Sequence, residues 1–157
     1  MKTGFMALGA ALVIAVIAFV VHEHHGGHDH AAGGDSAKLT LHDGAKWETD
    51  APMKEEMAAI KDEVAAALGG IRGGAYSPEQ YGALADAIVR RVNAIFSKCK
   101  LPPEVDAQAH LVLGELLAGA AAMKGEGDRS AGAAKVVRAL AAYGDHFAHP
   151  GWQPLER

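Results

Sequence analysis

Asp50-Ala51-Pro52-Met53-Lys54-Glu55-Glu56-Met57-Ala58-Ala59-Ile60-Lys61-Asp62-Glu63-Val64-Ala65-Ala66-Ala67-Leu68-Gly69-Gly70 is the stretch whose periodicity decides the fold class. Met53, Met57, Ile60, Val64 and Leu68 recur at three-four spacing, and Lys54, Glu55, Lys61 and Asp62 fall outside that stripe. This is the pattern of an amphipathic helix with one buried face. Asp50 can accept hydrogen bonds from the first free N–H groups, and Pro52 suits a first turn. Gly69-Gly70 is the expected stop.

Outward from this helix the pattern repeats three times. Ser77-Pro78-Glu79-Gln80 reads as a capping box with proline at the first helical position. Tyr81, Leu84, Ile88, Val92, Ile95 and Cys99 then mark an apolar stripe, with Arg90, Arg91 and Lys98 off it. Leu101-Pro102-Pro103 breaks the chain. A third helix is expected from about Glu104 to Lys124, with His110, Leu113, Leu117 and Ala120 on one face, and Gly125-Glu126-Gly127 ends it. Asp128 or Ser130 starts a fourth, with Val136, Leu140, Tyr143 and Phe147 inward and a stop at His149-Pro150-Gly151. Four amphipathic helices with short connections predict an all-α fold, an antiparallel up-down four-helix bundle over residues 50–149 with a tail at 150–157.

On the N-terminal side, Leu39-Thr40-Leu41-His42-Asp43-Gly44-Ala45-Lys46-Trp47 reads as a short extended lead-in, residues 39–49, with an Asp-Gly turn. It is too small for a sheet of its own, and Leu39, Leu41 and Trp47 are expected to pack over one end of the bundle. Before it lies a His/Gly-rich linker, residues 22–38. Five of the nine histidines, His22, His24, His25, His28 and His30, fall here, interrupted by Glu23, Gly26, Gly27 and Asp29. Flexible neutral imidazoles bind borderline divalent ions, with copper, nickel and zinc the natural candidates. The pairs His22/His24 and His28/His30 can each chelate without a prebuilt cage.

Phe5 to Val21 carries no charge and no proline. As a helix it would extend about 25 Å at 1.5 Å per residue, slightly short of a ~30 Å hydrocarbon core. Lys2 is the only positive charge before it and Lys38 the next one after it. This bias keeps the N-terminus in the cytoplasm and sends the remainder across. Residues 1–21 are therefore expected to act as a signal peptide or as a transmembrane anchor in the inner membrane, with the rest in the periplasm. Val16-Ile17-Ala18 offers a permissible but poor cleavage sequence, so both outcomes stand.

Composition narrows the partners. Net charge is −4 and the basic residues are scattered, so no basic stripe points to nucleic acid. The single cysteine, Cys99, precludes an intramolecular disulfide. The chain has no H-E-x-x-H zinc signature, no phosphate-cradling glycine loop and no nucleophile–base pair, which speaks against an enzyme. In an up-down bundle the start of the first helix, the end of the second, the start of the third and the end of the fourth share one pole. That pole would hold Met53, Met57, Cys99, His110, His146 and His149. Thioether, thiol and imidazole donors together suit copper or haem iron.

Met53-Lys54-Glu55-Glu56-Met57-Ala58-Ala59-Ile60, His110-Leu111-Val112-Leu113-Gly114 and Ala142-Tyr143 resemble the corresponding helices of the small periplasmic b-type cytochromes with a four-helix bundle. The resemblance covers roughly Asp50 to Phe147, by pattern rather than identity. It implies a haem b electron carrier with Met57 as one axial ligand and His146 as the other. The family's axial His directly follows the Tyr, whereas Gly144 follows Tyr143 here and His146 lies two places later, about 200° further round the helix. Gly44 to Pro52 is similar to segments of uncharacterised bacterial envelope proteins. The leading expectation is an exported, metal-binding helical protein, with the haem carrier and a ligand-free interaction module as alternatives.

Overall fold

A computed structural model describes residues 38–156. The apolar segment Phe5–Val21 and the histidine cluster lie outside the described residues. Four helices, α1 (Ala51–Arg72), α2 (Pro78–Lys98), α3 (Pro103–Lys124) and α4 (Arg129–His146), make up most of the fold. Two-residue strands flank them, β1 (Trp47–Glu48) and β2 (Phe147–Ala148). Among the described residues no helix is long and apolar enough to cross a membrane.

The helix starts follow from their caps. Asp50 Oδ1 accepts the Met53 N–H at 3.1 Å, and Ser77 with Gln80 forms a reciprocal capping box. Asp128 Oδ1 accepts from the N–H groups of Ser130 and Ala131. α3 begins after Pro102 with no side-chain cap, but Glu104 and Asp106 in its first turn complement the helix dipole.

Successive helices run in opposite directions. Between α1 and α2, Glu56 pairs with Lys98 and Glu63 with Arg91. Between α2 and α3, Asp86 pairs with Lys124, and Phe96 lies against His110. The α3 and α4 backbones come close at Gly119 and Gly132. A Cβ on Gly132 would come within 2.7 Å of the Met123 backbone nitrogen, and one on Gly119 within 2.6 Å of Val136 Cγ2. Glycine at both places lets the two backbones approach. The core is one cluster built around Met53, Met57, Ile60, Ile88, Leu113, Leu116, Met123, Leu140, Tyr143 and Phe147.

Several boundaries and faces differ from expectation. α1 does not stop at Gly69-Gly70 but continues to Arg72. The stop is a turn later, where Gly74 takes φ +67°, Ala75 N–H bonds Gly70 O and Gly74 N–H bonds Ile71 O. This left-handed closing motif satisfies the last carbonyls, which Gly69 and Gly70 in helical conformation do not do. α3 buries Val105, Ala109, Val112, Leu113, Leu116, Ala120 and Met123, so His110 lies off the buried face and Leu117 at its margin. α4 ends at His146, and Phe147 turns inward from an extended segment rather than from a helix. That segment pairs in parallel with the lead-in, Trp47 opposite Phe147 and Glu48 opposite Ala148. The lead-in does form the expected Asp-Gly turn, with φ 49° at Asp43 and 84° at Gly44 and a bridge between His42 and Ala45. Leu39 and Trp47 pack on the core as expected, but Leu41 is exposed.

Candidate functional site

The start of α1, the end of α2, the start of α3 and the end of α4 meet at one tip, and Asp50 ties the first two of these together. One carboxylate oxygen caps α1 and the other accepts the Lys100 N–H at 2.8 Å, just past the end of α2. The Cys99 thiol lies beside the same carboxylate. Burial works to raise the Asp50 pKa, but the backbone donors of Lys100 and Met53, with the Cys99 thiol, outweigh it and hold it below its ordinary value. The thiol responds in the opposite sense. Burial first, then the hydrogen bond to Asp50 and its negative charge, push Cys99 up to about 12. At neutral pH it is a protonated thiol, and metal ligation or nucleophilic attack needs the thiolate.

Met53 and Met57 have no exposed surface and fill the core. Cys99 and His110 come together on a small cleft of about 270 Å³, whose walls include Ile95, Phe96, Asp106 and Leu113. The His110 side chain is 54% exposed, and its Nδ1 donates to Asp106 O at 2.9 Å with the Asp106 carboxylate 3.3 Å away. A donor at Nδ1 leaves the lone pair on Nε2. His146 does the same, its Nδ1 donating to Ala142 O at 2.8 Å.

His149 belongs to an aromatic cluster behind the tip. Its Nδ1 is 3.1 Å from Tyr143 Oη, and its ring meets Trp152 at 5.0 Å between centroids. Burial, then the nearby Lys54 and Lys61 ammonium groups, hold the His149 pKa below its ordinary value, so the ring is neutral at pH 7. Pro150-Gly151 brings Trp152 back over α4 through a tight turn, with Gly151 at φ +79° and Trp152 N–H bonded to His149 O at 3.0 Å. The indole lies on Gly144, where a Cβ would collide with it. Gly144, the residue after Tyr143, thus serves as a seat for Trp152.

Each of the predicted donors among the described residues is occupied differently: the methionines in packing, the thiol beside a carboxylate, and the imidazoles in hydrogen bonds to neighbouring oxygens. Among the described residues no three His, Cys, Asp or Glu side chains form a group able to hold a metal ion. Two features escaped the sequence reading. Glu56 is buried and accepts from Lys98 at 2.8 Å and Arg91 at 3.1 Å. The Lys98 bond, opposed by desolvation and reinforced by Arg91, keeps its carboxyl below the usual range. The second is the cluster of Tyr143, His149 and Trp152. Its one signal in the sequence is the turn dipeptide Pro150-Gly151 placed directly before an aromatic residue. The chain matches no protein-family model, no curated protein and no solved structure.

Proposed function

We propose that this is an exported, envelope-facing protein that captures a transition-metal ion, copper, nickel or zinc, through His22, His24, His25, His28 and His30. The apolar segment Phe5–Val21 directs or anchors it at the inner membrane, and an antiparallel up-down bundle is the folded domain that follows. The observation carrying this reading is the density of imidazoles: five of nine histidines within nine residues, interleaved with glycines and two acids and set directly after the apolar run. Neutral imidazoles at His-x-His spacing are good ligands for these ions.

The helical domain contributes little to capture on this reading. Its thiol is held protonated beside Asp50, its methionines are packed, and His110 Nε2 is a single exposed donor beside Cys99. Equilibrium titration of the purified chain with Cu(II), Ni(II) and Zn(II) against a competing chelator tests it. Replacing the five histidines by alanine is expected to abolish the high-affinity phase, whereas His110→Ala leaves it in place. Affinity unchanged by the five-fold replacement overturns the reading.

A further inference from the structure

α1 and α4 make the least direct contact of the helix pairs that adjoin, and the C-terminal tail touches both of them. Trp152 rests on Gly144 and under the Lys61 ammonium, 5.2 Å from the ring centroid. Four residues on, the Glu156 carbonyl accepts from the Arg72 guanidinium at the far end of α1. Between tail and helices a groove of about 800 Å³ remains open. That lies within the roughly 300–1,000 Å³ of typical small-molecule sites. Its lining on α4 recurs from Ser130 to Asp145, about 22 Å of helix at 1.5 Å per residue, so the groove is elongated.

The lining has two chemistries. Leu68, Ile71, Val137, Trp152, Pro154 and Leu155 present apolar walls. Lys46, Arg72 and Arg138 are the cations on it, against one acid, Asp145. The cations are notable in a chain whose net charge is −4. Among the described residues, no carboxylate side chain lies within ion-pair distance of any of the three. Lys46 and Arg72 each donate to a backbone carbonyl, of Gly144 and Glu156, and retain further donors. The indole Nε1 of Trp152, another lining residue, is buried without an acceptor.

We propose that this groove binds a single-chain anionic amphiphile, an alkyl carboxylate whose chain lies along the apolar walls and whose head pairs with Arg138. The length of the groove fits a linear chain better than a compact solute. The unpaired guanidinium suits a carboxylate, which it can hold bidentately. The site is remote from the histidine segment in sequence and does not depend on the metal reading.

The test uses the full chain and dodecanoate below its micelle-forming concentration. A diazirine-bearing dodecanoate is photo-cross-linked and the labelled peptides are mapped by mass spectrometry, while calorimetry gives the affinity. The expected result is saturable 1:1 binding, with label on α4 and on residues 152–155 that unlabelled dodecanoate removes. Dodecanol and acetate, lacking head and chain respectively, bind at least about tenfold more weakly. Arg138→Gln weakens dodecanoate by about tenfold without moving the melting temperature, since the residue is exposed. Val137→Glu, which places an acid on the apolar wall, weakens it too. Label confined to other residues, including Phe5–Val21, overturns the proposal. So does Arg138→Gln binding as tightly as the parent, or dodecanol binding as well as dodecanoate.

Discussion

Cys99 shows how one neighbour decides what a side chain can do. A lone cysteine reads first as a small buried apolar residue and otherwise as a ligand or a cross-linker. Beside the Asp50 carboxylate and withdrawn from water, its proton is held until about pH 12. The folded protein is therefore expected to react slowly with iodoacetamide at pH 8 and rapidly in urea, and equal rates in the two states would contradict the placement. His149 yields a pH dependence of definite sign. Burial, then Lys54 and Lys61, lower its folded pKa, so the unfolded chain takes up the proton first as pH falls. Stability contributed by the neutral ring is present above about pH 6.5 and is lost as pH falls through the lowered folded value. Urea midpoints measured between pH 7 and 5 should fall for the parent protein and fall less for His149→Gln. Identical slopes would show that the ring titrates alike in both states.

The elements were legible at their beginnings and less so at their ends. Asp50, the Ser77–Gln80 box and Asp128 are local signals, each complete within four residues, and the structure uses all three as caps. Ends depend on what happens beyond them. Gly69-Gly70 looked like a terminus, yet the left-handed residue that closes α1 is Gly74. The phase of α3 is ambiguous in the sequence because apolar residues lie on every side of it, so Leu117 competes with Leu116 for the core. Small residues settle the matter: Ala109 and Gly119 are buried, and a stripe drawn through large side chains passes over them. The β1–β2 pair joins positions 47 and 147 and has no local signature at all.

The glycines test this account of the elements. Gly69 is helical, with nothing within 4 Å of where a Cβ would stand. Gly69→Ala should therefore stabilise by about 0.5–1 kcal/mol through helix propensity. Gly132 faces the backbone of α3 at 2.7 Å. Gly132→Ala should destabilise by about 1–3 kcal/mol, because helices must move apart to admit the methyl group. Denaturant melts of both variants decide it, and two changes of the same sign would mean that the α3–α4 contact is misplaced.

For the whole molecule, the expectation that distant donors gather at one end follows from helix direction alone. Cys99 and His110 line one cleft, and Asp50 and Lys100, which that expectation did not name, lie beside Cys99. What helix direction could not reveal is how those groups are used once they meet. Asp50 and Glu56 tie the helices with charge, Tyr143 and Trp152 fill the end of the core with rings, and the imidazoles bond to oxygens close by. The proposed metal capture falls to the histidine segment that precedes these helices in sequence. The direct measurement is an imidazole NMR spectrum of the nitrogen-15-labelled chain before and after one equivalent of Zn(II). The account predicts shifts at His22, His24, His25, His28 and His30, with His110, His146 and His149 unmoved. Shifts at the latter three, with the first five unchanged, would contradict it.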